Sequence, residues 1–221
     1  MRILAASALF LSASIGNAFA GNGGPHDWTG PYIGADVGYA WGETGNQWRS
    51  PGAGYQDWQP DGKISYDSAM GGGYIGYLAQ YGRLVFGAEI DISAMSLKGD
   101  DSQFAGEVNA IELNYVGTIR GRLGYAFDNS LLYATGGFAY SDYTKKDETL
   151  GWSQNDNLTG WTVGAGYEYA LGENWSARVE YLYTDLGSVD SLLTDGEGSY
   201  YYHRASDVTV QSMRAGLTYG F

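Results

Sequence analysis

The chain of 221 residues carries 25 Asp and Glu against 12 Lys and Arg, a formal charge of −13 that argues against nucleic-acid binding. It has no Cys, which excludes disulfides, a thiol nucleophile and Cys-based metal sites. With 35 Gly, 15% aromatic residues and 4 Pro, all at or before Pro60, the composition suits many strands and few helices, and 44% hydrophobic content is too high for disorder.

Residues 1–20 contain Arg2, an apolar run from Ile3 to Ile15, and Ala18-Phe19-Ala20 before Gly21, the small-x-small pattern of a secretory leader. A signal peptide over 1–20 that is removed, and one domain over 21–221, are expected. Losing Arg2 leaves 25 acidic and 11 basic residues, a charge of −14 on the exported chain.

Trp28-Thr29-Gly30-Pro31 then lead into a first strand, where Ile33, Ala35, Val37, Tyr39 and Trp41 alternate with Gly34, Asp36, Gly38 and Ala40. Residues 42–66, broken by Gly, Pro, Asn and Asp, read as a long loop. A second strand from about Ser68 places Ile75 and Tyr77 opposite Tyr74 and Gly76, and a tight turn at Tyr81-Gly82 leads to a third. There Phe86, Ala88, Ile90 and Ile92 oppose Gly87, Glu89, Asp91 and Ser93, before a polar loop from Lys98 to Asn109. The fourth strand, Ile111 to Phe127, sets Leu113, Ile119 and Leu123 against Glu112, Arg120 and Arg122. Asp128-Asn129-Ser130 turn the chain into a fifth strand over Leu132 to Tyr140, followed by a loop from Lys145 to about Asn157. A sixth strand over Trp161 to Tyr169, a turn at Gly172-Glu173-Asn174 and a seventh strand over Ser176 to Thr184 follow. A fourth long loop, Gly187 to Asp207, precedes the last strand, which ends on Phe221. Short turns and long loops alternate strictly through eight predicted strands, the smallest even number common in outer-membrane barrels.

Three features turn the apolar face outward into lipid, away from the lipocalin-like alternative. The charged face is Gly with Arg, Asp and Glu, while all four Lys (Lys63, Lys98, Lys145, Lys146) fall in the predicted loops. Trp41, Tyr140, Trp161 and Tyr183 gather by the long loops, and Tyr77, Tyr125, Phe127, Tyr169, Tyr219 and Phe221 by the short turns, as a pair of aromatic girdles. So many rings would also overfill an eight-stranded interior. The lumen is then expected to hold Asp36, Glu89, Asp91, Glu112, Glu168 and Glu180 with Arg120, Arg122, Arg178 and Arg214. Charges so confined need partners, and a plugging carboxylate and guanidinium network follows.

Gly121-Arg122-Leu123-Gly124-Tyr125-Ala126-Phe127, Tyr133-Ala134-Thr135-Gly136-Gly137, Gly160-Trp161-Thr162-Val163-Gly164-Ala165-Gly166 and Val179-Glu180-Tyr181-Leu182-Tyr183 together resemble the small outer-membrane β-barrel family of alphaproteobacteria. These are porin-like surface proteins that include major outer-membrane antigens and hemin-binding members. Trp28 to Gly34 resembles the family's start and Arg214 to Phe221 its end; more distantly the chain is similar to the OmpA-type transmembrane domain. The resemblance implies that the C-terminal Leu217, Tyr219 and Phe221 form a signal read by the barrel assembly machinery.

Tyr202 and His203, within Tyr200-Tyr201-Tyr202-His203-Arg204, have the side chains of a hemin site, against the plainer reading of an aromatic edge at the membrane surface. No nucleophile, base and acid share a specific spacing, so no enzyme, cofactor or metal is expected. Trp48, Tyr55 and Trp58 in the first long loop are contact candidates for a host or other surface ligand. The expected fold is all-β: an eight-stranded antiparallel transmembrane up-and-down β-barrel with short periplasmic turns and four long extracellular loops. The expected protein is a monomer in the bacterial outer membrane, partnered by lipid, lipopolysaccharide and the assembly machinery. Its expected function is structural and surface-exposed, the alternatives being a narrow porin for small solutes or loop-mediated binding of hemin or a host ligand.

Overall fold

The structure, a computed structural model, describes residues 26–50, 55–100, 109–147, 152–194 and 200–221. The leader expected over 1–20 lies outside the described residues. The strands are β1 (Gly30–Ser50), β2 (Tyr55–Tyr81), β3 (Leu84–Asp100), β4 (Asn109–Phe127), β5 (Ser130–Asp147), β6 (Trp152–Ala170), β7 (Trp175–Asp185), β8 (Val189–Thr194) and β9 (Tyr200–Gly220). Neighbours pair antiparallel in chain order through β7, which pairs with β9, and β9 returns to β1 to close the barrel.

β8 adds no wall of its own. It pairs with the first residues of β9, while β7 pairs with the last, so the two are one strand interrupted at 186–188. At the interruption Leu186 N–H donates to Val208 O at 2.9 Å and Val208 N–H to Gly187 O at 2.9 Å. Positive φ angles at Gly187 (76°) and Asp207 (53°) accommodate the irregularity. The barrel wall therefore has eight strands.

Alternation sorts the side chains. Val37, Ile92, Ile119, Leu123 and Phe138 are exposed outward, Phe138 by 78%, on the surface that meets lipid. Rings cluster at its margins: Trp161 and Tyr183 have centroids 5.5 Å apart at one end, and Trp175, Tyr219 and Phe221 form a chain of edge contacts at the other. Near the extracellular margin Tyr140 and Tyr181 donate their hydroxyls to Asn157 and Gln211, both at 2.8 Å, and Tyr39 donates to Asp67. These tyrosines keep an apolar body in lipid and a polar tip in the headgroup region.

The four long loops keep their positions, but parts of the segments expected as loops are strand. β1 and β2 stay paired through the segment expected as a loop over 42–66, from Gly42↔Tyr66 to Ser50↔Tyr55, with irregularities after Asn46 and Trp48. β5 and β6 likewise pair from Lys145↔Gln154 to Asp147↔Trp152. Beyond the bilayer neither face needs to be apolar, so the ladder continues without the alternation by which a strand is recognised.

At the opposite end the turns are tight. Gly82-Arg83 link Tyr81 to Leu84 and Asp128-Asn129 link Phe127 to Ser130, with positive φ at Gly82 (62°) and Asp128 (52°). Residues 26–29 cross the mouth of the barrel as a short strap. His26 N–H donates to Asp128 O at 3.2 Å, Trp28 N–H to Gln80 Oε1 at 2.9 Å, and Gln80 N–H back to Thr29 Oγ1 at 3.1 Å. Trp28, 7% exposed, joins an apolar cluster with Tyr32, Leu78, Val85 and Leu131. Trp28→Ala should lower unfolding stability by about 3 kcal/mol, the usual cost of emptying a large buried aromatic site. A denaturant midpoint in lipid vesicles measures this, and an unchanged midpoint would show that the indole is not packed.

Candidate functional site: the charged lumen

The middle of the lumen is built by strand periodicity. Residues two apart share a face, so Glu89 and Asp91 on β3, Arg120 and Arg122 on β4, and Arg178 and Glu180 on β7 all point inward. Antiparallel register then sets acid directly against base: Glu89 opposite Arg120, Glu168 opposite Arg178, Glu180 opposite Arg214. Asp36 on β1 completes the layer, and the nine side chains are between 0% and 2% exposed.

Glu89 is the hub. It accepts from Arg178 Nη1 at 2.6 Å, Arg122 Nη1 at 3.2 Å, Arg120 Nη2 at 2.5 Å and the Tyr32 hydroxyl at 2.8 Å. Glu180 accepts from Arg120 Nη1 at 3.1 Å, Arg214 Nη2 at 2.5 Å and the Tyr133 hydroxyl at 3.0 Å. Asp91 takes Arg120 Nε and Arg214 Nη1, both at 3.1 Å, and the Thr118 hydroxyl. Glu168 takes Arg122 Nη2 at 2.8 Å and the Ser176 hydroxyl at 2.5 Å. Asp36 stands apart, 3.6 Å from Arg214 and 3.7 Å from Arg178, with no hydrogen bond among the described residues. The arrangement satisfies charge with charge and leaves the carboxylates engaged by guanidinium groups. Among the described residues no cluster of three or more His, Asp or Glu is placed to hold a metal ion.

Three lumen tyrosines that alternation alone does not single out join the network. The Arg178 guanidinium lies 3.3 Å from the Tyr74 ring centroid, and that of Arg122 lies 3.8 Å from Tyr133 and 5.6 Å from Tyr32. Their signal is a pair of Tyr-x-Gly steps. Tyr32 and Gly34 run antiparallel to Tyr74 and Gly76, so each ring lies across from the other strand's glycine. A Cβ at Gly34 would come within 2.2 Å of the Tyr74 ring, and one at Gly76 within 2.3 Å of the Tyr32 hydroxyl. Tyr133 lies across from Gly166 in the same way.

Apolar layers close both ends of the network. On the extracellular side Tyr66, Met70, Met95, Leu97, Leu158 and Leu186 form one cluster, and on the periplasmic side Trp28, Leu78, Val85 and Leu131 belong to the other. Glu112, expected in the lumen, lies where the ladders of β4 are irregular. β4 has an irregularity between Leu113 and Val116, and Leu113 pairs with the inward, 1% exposed Leu97. Glu112 is in backbone register with Lys98 and Thr144, and its side chain lies outside the described ones.

The remaining candidates sit elsewhere. Leu217, Tyr219 and Phe221 lie on the outward face at the end of β9, with Phe221 73% exposed. Trp48 on β1 is in backbone register with His203 on β9, and Arg49 with Tyr202. Tyr55 pairs with Ser50, and Trp58 lies on β2. The side chains of Trp48, Tyr55, Trp58, Tyr202 and His203 are outside the described ones.

Glu89→Gln should cost about 3–5 kcal/mol, since it leaves three buried guanidinium groups short of a shared counter-charge. Asp36→Asn, which breaks no hydrogen bond, should cost a small fraction of that. Unfolding midpoints of the two variants measure the difference, and equal losses would contradict the central role of Glu89.

The family model for the outer membrane protein beta-barrel domain matches residues 3–221. The 31 kDa outer-membrane immunogenic protein of Brucella melitensis biotype 1 is 35% identical over 211 residues, covering 88% of this chain and 84% of that protein. The 22 kDa outer membrane protein of Rhizobium leguminosarum bv. viciae is 34% identical over 179 residues, covering 81% of this chain and 74% of its own. Among solved structures, the outer membrane protein OprG from Pseudomonas aeruginosa aligns with a TM-score of 0.66 over 89% of this chain and 98% of its own. At 14% identity that likeness speaks to the fold alone. The chain belongs to the outer membrane protein β-barrel domain family, and its place is the bacterial outer membrane.

Proposed function

We propose that this barrel is a structural, surface-exposed protein that supports envelope integrity, with a lumen that does not conduct and no catalytic chemistry. The observation that carries this reading is the layered interior: a salt-bridged middle between two apolar clusters. Passage of a solute would require separating guanidinium and carboxylate groups in a low-dielectric interior, where removing one partner alone costs several kcal/mol. A narrow porin would instead need a continuous wet path past Arg120, which is 1% exposed.

Outside the membrane, the hairpins that extend β1 to β6 and β8 with β9 offer the surface to other molecules. Trp48, Tyr55 and Trp58 on the first hairpin are the proposed contacts for a host or surface ligand, and lipid and lipopolysaccharide surround the wall. The outward Tyr219 and Phe221 suit recognition by the assembly machinery, and a closed wall with no free strand edge supports a monomer. The side chains of the hemin alternative, Tyr202 and His203, lie outside the described ones.

In a planar bilayer the refolded protein should show no large, steady unitary conductance; such a conductance would overturn the plugged reading in favour of a porin. Deleting Phe221 should lower the inserted fraction, seen as loss of heat-modifiable gel mobility, more than replacing Trp48, Tyr55 and Trp58 with Ser. Normal insertion of the Phe221 deletion would remove it from the assembly signal.

A further inference from the structure

Within the bilayer every strand of the wall is paired on both sides, but past it the wall divides. β2 and β3 pair no farther than Met70↔Met95, and β6 and β7 no farther than Trp161↔Asp185, while β2 extends to Tyr55, β3 to Asp100 and β6 to Trp152. β8 pairs with β9 alone among the described residues. The extensions are therefore two sheets, β2-β1-β9-β8 and β3-β4-β5-β6. β2 faces β3 across one cleft, and β6 faces β8 across the other.

Strand edges of this kind leave the N–H and C=O groups of every second residue without a backbone partner, a template for another strand. The first cleft is guarded. Pro60, which has no N–H, and Lys63 lie on β2, Lys98 lies on β3, and Ser96 N–H donates to Ser68 Oγ at 3.1 Å from one side to the other. The second cleft has no such guard. Residues 152–160 of β6 and Val189–Thr194 of β8 contain no Pro, Lys or Arg, and their only charges are Asp156 and Asp190. β8 is 6 residues long, an ordinary length for a strand and enough to dock one of about 20 Å.

The paired edge of β8 shows what suits it. There β9 runs antiparallel, with Arg204 in register with Asp190. A second copy would bring the same acidic edge to the cleft, on a chain with a formal charge of −13, whereas an added strand with a cation in that register meets no such repulsion. We propose that the free edge of β8 is a strand-addition site for an extended basic segment of another protein, which joins the sheet β2-β1-β9-β8 as its next strand. This mode of engagement rests on the reading of the extracellular hairpins as the surface offered to other molecules.

The test uses the full exported chain, labelled with ¹⁵N and refolded in detergent micelles, with amide hydrogen exchange followed residue by residue. Alternate amides of Val189–Thr194 should exchange about tenfold or more faster than their neighbours, which pair with β9. The probe is a synthetic peptide with the sequence of Tyr200 to Ala205, acetylated and amidated at its ends. It should protect those same amides saturably, by about tenfold or more, while the peptide with its backbone amides N-methylated should leave them exposed. Asp190→Lys, with heat-modifiable mobility intact, should bind the peptide about tenfold more weakly or worse. Uniform protection before the peptide is added would show the edge already covered by β6, protection that rises with protein concentration would show a second copy, and either would overturn the proposal. So would amides unmoved by the peptide, an equal response to the methylated peptide, or unaltered binding by Asp190→Lys. Such a failure would leave the plugged lumen and the contacts on the first hairpin standing.

Discussion

Hydrocarbon offers a backbone no hydrogen bonds, and the rest of this structure follows from that constraint. A strand in lipid must pair on both edges, so the sheet has to close, and the pairing of β1 with β9 removes the last free edge. Closing eight strands leaves an interior only wide enough for side chains. That interior must then be filled, and because lipid takes the apolar face, what fills it is the polar one. The buried network is thus the other side of the same alternation that makes the wall soluble in a membrane.

Filling the lumen with charge has a second consequence, which concerns register. Glu180 meets Arg214 and Glu89 meets Arg120 only in the observed pairing. A slip of one residue would turn Arg214 toward lipid, at a cost of about 2–4 kcal/mol near the midplane, and would strand Glu180 without its partner. The network therefore selects the seam as well as packing it. The tyrosines act in the same way, since each ring needs a glycine across from it, and a shifted strand would set rings against rings.

The two ends of the barrel are treated differently. Toward the cell exterior the ladders run on past the bilayer as paired hairpins, which hold the surface segments upright. Toward the periplasm the wall stops at tight turns, and the strap over residues 26–29 brings Trp28 under the network. One end presents surface outward and the other packs a side chain inward, so the barrel is closed without being symmetric.

Strand count, the direction of the apolar face, the aromatic girdles and the nine lumen charges whose side chains are described were legible in the sequence, because a period of two in lipid leaves a local trace along each strand. Tertiary structure decided the rest. The hairpins past the bilayer carry no alternation, since water on both faces asks for none. The irregularity between Leu113 and Val116 is set by how β4 aligns with its neighbours, which no stretch of β4 records by itself. Tyr32, Tyr74 and Tyr133 reach the lumen as partners of glycines on neighbouring strands, and Trp28 reaches it from outside any strand. A single strand determines which of its faces meets lipid; only the closed barrel determines which side chains then meet one another, because those contacts join residues from strands far apart in the chain.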